Sequence, residues 1–388
     1  MSSSVNASLR ATRSLSRRAT SFRPLSPAFA IRTYHSSRIL RTPTKMEAIK
    51  NTIAENFGGA AHSVASDQQK FDIDKDVPDL SGKVALVTGG SEGIGYAASF
   101  VMLRAGLEKL FILSISQEVF DGAKKDITEK LGAQYAQKLV FLSCDTSDLP
   151  AVARTAKTVS DSTDRLDILV LNAGRGIMTY QLTDWGLDRH MAVNHVGHVV
   201  LTSHLLPLLK KTAEKDTVRI SIQGSNAHQG APKDTKFASI DEMNQDLGPN
   251  GQYGRSKLAG ILYARYLSRH LHSQNKNILI NATHPGFVET KMSIDDIHEP
   301  YPILGYGMSV AMAPFKKDQW MGSTSTLYCA TKTTQSGEYV CPPAIPEPGS
   351  EMAQDEQLGE QLMKLTRDIV KEKFGPQSVD KGCPLKDY

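Results

Sequence analysis

The sequence predicts an α/β fold: one doubly wound, Rossmann-type domain built on a mostly parallel sheet of about seven strands. Short apolar runs rich in Val, Ile and Leu recur at 84–88, 110–114, 139–143, 166–171, 218–222 and 278–282, with a weaker one at 339–341. Helical stretches at 94–105, 151–161, 184–211, 252–272 and 321–331 lie between them. A strand that returns parallel to its predecessor needs a long crossover, so this alternation favours βαβ units with helices on both sheet faces. A glycine-rich turn joins the first strand to the first helix, where such folds receive phosphate groups. No internal repeat or low-complexity linker follows residue 80, which makes 81–345 a single domain and leaves 346–388 as a helical tail.

Of 388 residues, 40% are hydrophobic and 22% charged, enough apolar material for a large core and too much for a disordered chain. No stretch approaches the ~18 unbroken apolar residues of a membrane-spanning helix. Cys144, Cys329, Cys341 and Cys383 lie far apart without a Cys-x-x-Cys pair, which argues against a disulfide scaffold and a cysteine zinc site. The net charge of +4 is misleading: residues 1–45 hold nine Lys and Arg and no acid, and the remainder of the chain is −5. A nucleic-acid partner is not expected, because the positive charge is not on the folded body.

Residues 1–45 read as a mitochondrial transit peptide. Wound as a helix, 5–19 gathers Arg10, Arg13 and Arg17 opposite Val5, Leu9 and Leu15, an acid-free basic amphipathic pattern. Cleavage is expected near Tyr34, within 32–37, and the matrix is the expected compartment. The alternative is a basic tail with translation starting at Met46. Residues 46–80 form a polar lead-in.

The first strand opens into Gly89-Gly90-Ser91-Glu92-Gly93-Ile94-Gly95. Glycines there allow a sharp turn and a close approach to a pyrophosphate, whose charge meets the N–H groups of the next helix. Tyr253 and Lys257 stand four apart in a helical run and so share one face. A free phenol, with pKa near 10, is a poor acid–base catalyst at neutral pH, and a neighbouring ammonium favours its ionised form.

With these motifs in place the chain resembles the short-chain dehydrogenases/reductases. Thr88-Gly89-x-x-x-Gly93-Ile94-Gly95 is followed by Asp145, Asn172-Ala173-Gly174, Asn194 in Val193-Asn194-His195-Val196-Gly197, Ser225, Tyr253-Gly254-Arg255-Ser256-Lys257, and Pro285-Gly286-Phe287-Val288-Glu289-Thr290. The resemblance spans about 81–345. Within the family the chain is similar to the retinol-dehydrogenase-like group, and most to the fungal blue-light-induced mitochondrial oxidoreductases. The resemblance implies an NAD(P)-dependent interconversion of alcohol and carbonyl. Gly89, Ser91, Gly93, Ile94 and Gly95 then cradle the cofactor, Asp145 sits beside the adenine, Asn172 and Gly174 lie along it, and Val288 and Thr290 reach the nicotinamide amide. Tyr253 exchanges the proton, Lys257 also holds the ribose hydroxyls, Ser225 orients the substrate oxygen, and Asn194 holds a relay water. Ser221 is the alternative serine, since Gly224 replaces the first of the family's usual pair.

The end of the second strand, Ile112 to Gln117, carries neither the acid that favours NAD nor the arginine that favours NADP. Ser116, with Lys124 or Lys125 beyond it, points to a 2′-phosphate, and Glu92 points the other way. The reading leans to NADP and leaves NAD open.

His190, His195 and His198 do not share one helical face, so no metal site is expected. A serine hydrolase is not expected. By the same resemblance residues 290–317 form the substrate lid, and their Met292, Ile294, Ile297, Tyr301, Ile303, Leu304 and Phe315 imply a small hydrophobic substrate. The alternatives for this stripe are core packing and peripheral contact with a membrane surface. The helix expected from Leu358 covers the sheet edge or a neighbouring subunit of a homo-oligomer. Two competing functions remain: epimerisation or dehydration on a related scaffold, and a cofactor-loaded sensor without turnover.

Overall fold

The first strand, β1 (Val84–Thr88), is buried along its whole length, as a central parallel strand must be. A computed structural model of the chain describes residues 71–286, Val288 and residues 318–374. The expected transit peptide, most of the lead-in, Thr290, the 290–317 lid and residues 375–388 lie outside the described residues. After β1 come α1 (Gly93–Arg104), β2 (Lys109–Ser114), α2 (Gln117–Leu131), β3 (Leu139–Ser143), α3 (Leu149–Ser162) and β4 (Ile168–Leu171). The chain continues through α4 (Gly197–Ala213), β5 (Val218–Gln223), α5 (Gly248–Leu267), β6 (Ile278–Thr283), β7 (Tyr339–Cys341), β8 (Ile345–Glu347) and α6 (Glu356–Phe374).

The sheet has eight strands in the order β3-β2-β1-β4-β5-β6-β7-β8, one more than expected. β1 to β7 pair in parallel, and β8 turns back antiparallel against β7 with Val340 opposite Pro346. Three residues containing a proline carry almost no strand signal, which is why β8 escapes a reading of the sequence.

Strand alternation distributes the core. Ala85 and Val87 of β1 pack with α1 and α2 through Val101, Phe120 and Ile127. Val84 and Leu86 face the opposite layer with Val152, Val199 and Ile261 of α3, α4 and α5. α6 lies outside α5 and buries Leu362, Met363, Ile369 and Val370. Residues 71–80 join the fold: Leu80 is buried, Arg104 pairs with Asp74 at 2.7 Å, and the Phe71 amide donates to the Pro343 oxygen at 3.3 Å.

The helix expected over 184–211 starts later, at Arg189, because the Asp188 side chain accepts from the Met191 amide at 2.9 Å and caps it there. A π-helical turn, Ala192–Val196, then leads into α4. The run at 321–331 is divided into Gln319–Gly322, Thr324–Leu327 and a π-helical turn at Tyr328–Lys332. The sheet order reverses direction between β1 and β4, and a crevice for a ligand opens at the carboxyl ends of strands at such a switch point.

Candidate active site

The turn after β1 is tight. Gly89 and Gly93 take φ of 64° and 56°, a left-handed backbone that favours glycine. A Cβ on Gly95 would stand 2.2 Å from the Gly89 oxygen, so only glycine lets α1 start this close to the turn. Thr88 ties the turn to the end of β4: its Oγ1 accepts from the Asn172 and Ala173 amides at 2.8 and 2.9 Å. Asn172 Nδ2 donates back to the Thr88 and Gly89 oxygens at 3.1 and 3.3 Å.

At the head of α1 the Glu92 side chain makes no capping bond and the first turn carries no acid. The helix N–H groups there are left for an anion. Ser91 Oγ is buried with no partner among the described residues, Ile94 is half-buried, and Glu92 is exposed. These residues fit the pyrophosphate of a dinucleotide.

At the end of β2, Ser116 caps α2 by accepting from the Val119 amide at 3.2 Å, which leaves its hydroxyl proton to donate. Lys124 and Lys125 are exposed two turns further on, about 12 Å along the helix axis from that cap. Lys125 faces Glu129 at 3.9 Å, so the lysines do not join Ser116. Asp145, after β3, holds the Ser147 amide and hydroxyl on Oδ1, both at 2.8 Å. Its Oδ2 lies 3.9 Å from Arg189. Val288 is buried against Gly322.

The other half of the site centres on α5. Lys257 is 6% exposed, and its Nζ donates to the Gln223 backbone oxygen at 3.0 Å and lies 5.5 Å from the Tyr253 ring centroid. Burial lowers its pKa to about 8 from the usual 10.5. Tyr253 is half-buried. The Gly174 Cα faces the same place: a Cβ there would lie 3.2 Å from Asn194 Oδ1 and 3.6 Å from Lys257 Nζ.

Ser225 follows β5 with an extended backbone, and its Oγ accepts from the Ala227 amide at 3.1 Å, heading the 3₁₀ turn Asn226–Gly230. Gly254 lets α5 press onto this turn, since a Cβ there would stand 2.8 Å from the Ala227 oxygen. The helix that carries Tyr253 is thereby held against the turn that Ser225 heads. Ser221 lies inside β5, fully buried. At Gly224 a Cβ would be 3.0 Å from the Thr283 oxygen, which accounts for glycine where the family places a serine.

Asn194 is a strut. Its Oδ1 accepts from the Arg175 amide at 2.6 Å, and Nδ2 donates to the Arg175 oxygen at 3.0 Å and to Ser256 Oγ at 2.8 Å. Both amide hydrogens are spent on protein, so a relay water has only acceptor atoms to meet on Asn194. The three histidines nearby go to separate partners. His190 Nε2 is 2.9 Å from the Gly176 oxygen, His195 Nε2 is 2.9 Å from Thr366 Oγ1, and His198 Nε2 is 3.1 Å from Thr88 Oγ1. Burial pushes the pKa of His195 and His198 down to about 3, so both are neutral.

Gly174, Asn194, Tyr253 and Lys257 thus converge, and the helix that carries the last two packs through Gly254 on the turn that Ser225 heads. Ser116 and Asp145 stand beyond the switch point, at the ends of β2 and β3. The sequence reading left out Thr88, Gln223, Gly254 and Ser256. Thr88, Gly254 and Ser256 carried a signal, each standing inside a motif already quoted; Gln223 acts through its backbone and carried none.

A glycine turn that fits a dinucleotide, together with a Tyr–Lys pair on one helix, points to a nicotinamide-dependent oxidoreductase. A family model described as short chain dehydrogenase matches residues 83–239. A mitochondrial protein of Neurospora crassa named oxidoreductase bli-4 is 52% identical over 361 residues, 92% of this chain and 87% of that one. Human retinol dehydrogenase 14 is 29% identical over 66% of this chain and 76% of its own. Among solved structures, the Pseudomonas aeruginosa RhlG/NADP active-site complex superposes with a TM-score of 0.51 at 24% identity, covering 68% of this chain and 96% of that one. The chain belongs to the short-chain dehydrogenase/reductase family and is an oxidoreductase that uses NAD(P). Among the described residues no helix is long and apolar enough to cross a membrane.

Proposed function

We propose that the protein interconverts an alcohol and a carbonyl on a small hydrophobic substrate, with Tyr253 as acid–base. The observation that supports this reading is Lys257 Nζ 5.5 Å from the Tyr253 ring, on a helix that Gly254 lets press onto the turn headed by Ser225. A bound nicotinamide would supply or accept the hydride. Tyr253 gives its phenolic proton to the carbonyl oxygen in reduction and takes the alcohol proton in oxidation. Lys257, held by the Gln223 oxygen, presents an ammonium that favours the phenolate and offers N–H donors to the ribose hydroxyls. Ser225 accepts from Ala227 and keeps its own proton for the substrate oxygen. Asn194 fixes the spacing of the Gly174 loop against α5 and offers a relay water an acceptor.

A hydrophobic substrate is supported by the apolar composition of residues 290–317 and by the likeness to a retinol dehydrogenase. NADP is the proposed cofactor: Ser116 keeps a donor and residues 114–116 carry no acid, and the RhlG neighbour was solved with NADP. Thr290, at the nicotinamide amide by resemblance, completes the proposed set with Val288. Residues 1–45 are proposed as the transit peptide of a matrix enzyme, in keeping with the mitochondrial relative. The test is the nicotinamide absorbance change over a panel of apolar ketones, aldehydes and alcohols, run with each cofactor. Turnover of apolar members with NADPH is expected; turnover confined to charged metabolites, or a strong preference for NADH, overturns the corresponding part.

A further inference from the structure

His228 sits on the turn that starts with Ser225 and is 1% exposed. Its Nδ1 lies 2.7 Å from the Ser225 backbone oxygen, and its Nε2 accepts from the Ser350 amide at 3.0 Å. An amide N–H only donates, so Nε2 carries the lone pair and Nδ1 carries the proton. The tautomer is therefore fixed, with Nδ1–H donating to Ser225. Burial lowers the pKa of the ring and keeps it neutral.

The far side of this link is the segment that begins the C-terminal tail. Ser350 caps the turn Glu351–Gln354, its Oγ accepting from the Ala353 amide at 3.2 Å. Arg265, from α5, donates to the Pro348 oxygen at 2.9 Å and to the Ala353 oxygen, holding the same segment from the other side. The Tyr339 ring stands edge-on to His228 at 5.2 Å, and its hydroxyl donates to Asn226 Oδ1 at 2.7 Å. The Ser225 backbone oxygen, through His228, and the Asn226 side chain, directly, are thus tied to residues more than 110 positions further along the chain.

We propose that His228 is a positioning residue for Ser225 and that the tail segment at Ser350 sets its place, making the tail part of the catalytic apparatus. The proposal rests on the reading of Ser225 as the group that orients the substrate oxygen. An error of about 1 Å in such a group can cost ~100-fold in rate.

The full-length enzyme tests this with Ser350→Pro, Ser350→Ala, His228→Phe, Ser225→Ala and the Ser225→Ala/His228→Phe double variant. Ser350 has φ of −71°, which proline adopts, so Ser350→Pro deletes the donor N–H while Ser350→Ala deletes only the cap. With the best apolar ketone of the panel, kcat is expected to fall ~10- to 100-fold in His228→Phe and Ser350→Pro and by less than ~3-fold in Ser350→Ala. Reduced-cofactor binding, read by fluorescence, is expected to stay within ~3-fold throughout, and the double variant to be no slower than Ser225→Ala. Long-range ¹H–¹⁵N correlation should show His228 as the Nδ1–H tautomer in the parent protein. Parental kcat in Ser350→Pro, full additivity in the double variant, or an Nε2–H tautomer overturns the proposal. If His228→Phe does not fold, the two Ser350 variants decide alone. Parental kcat in Ser225→Ala instead overturns the underlying reading of the serine.

Discussion

Lys257 and Gln223 meet at the carboxyl end of β5, where the ammonium donates to the backbone oxygen at 3.0 Å. The charge is buried and this acceptor is neutral, which costs stability for the sake of the site. The folded-state pKa of about 8 lies below the usual 10.5, so between these values the unfolded chain binds more protons. Stability therefore rises with pH across that window, and the full cost is present below about pH 8. Replacing Lys257 with Met should raise the melting temperature of the cofactor-free protein at pH 7. The gain is on the order of 3 kcal/mol at most, less about 1 kcal/mol for the abandoned carbonyl, and it should shrink toward pH 10. Turnover should be lost. Thermal melts at the two pH values check it; a Lys257→Met protein less stable than the parent at pH 7 contradicts it.

Tyr253→Phe removes one oxygen and keeps the ring, so packing should hardly change. kcat should drop by ~10²–10⁴ or more, the scale of general acid–base catalysis. Reduced-cofactor binding should change much less, because the proposed pyrophosphate cradle is the separate turn Gly89 to Gly95. Parallel measurements of kcat and of cofactor fluorescence separate the two; a parental kcat would rule out the tyrosine mechanism.

Gly254→Ala places a Cβ 2.8 Å from the Ala227 oxygen, and neither backbone can yield cheaply. α5 should lift from the Ser225 turn, at a cost of ~1–3 kcal/mol typical of overpacking. The expected result is a lower melting temperature and a kcat loss larger than the loss of cofactor affinity. Equal losses of both would mean that the contact supports the fold without setting the Tyr253–Ser225 spacing.

Gly95→Ala should act on the other half of the site. Its Cβ would overlap the Gly89 oxygen at 2.2 Å and meet Asn172 Nδ2 at 2.5 Å, so the turn must open. Cofactor binding should weaken at least ~10-fold, about 1.4 kcal/mol, with the Tyr253–Lys257 pair left in place. Calorimetric titration with NADPH and NADH measures this, and unchanged affinity for both would argue that the dinucleotide binds elsewhere.

Much of the sheet was legible because β1, β2, β4 and β6 are buried on both faces and therefore read as continuous apolar runs. α2 was harder to see, being largely polar, and its boundaries rest on the Ser116 cap and Gly132. The site was legible where chemistry depends on local spacing, as in the Gly89–Gly95 turn and the Tyr253–Lys257 step. It was illegible where a side chain finds its partner across the fold. His195 meets Thr366, His198 meets Thr88 and His228 meets Ser350 over separations of 171, 110 and 122 residues. The sequence names the imidazoles but not the hydroxyls and amide they serve. Asn194 illustrates the same limit: its amide hydrogens go to the Arg175 oxygen and to Ser256 Oγ, 19 and 62 positions away.

The short strand β8 has a consequence for how the molecule behaves in a crowded solution. An open parallel sheet ends in a row of unpaired amides and carbonyls, and such a rim invites a foreign strand to dock and propagate. Here the β7 rim is closed by three residues running the opposite way, with Pro346 in the middle and no N–H to offer a newcomer. That end of the sheet cannot template further ladder growth. Replacing Pro346 by Val would restore a donor to the outermost strand, and the cost would be paid in solubility at high protein concentration before any loss of turnover.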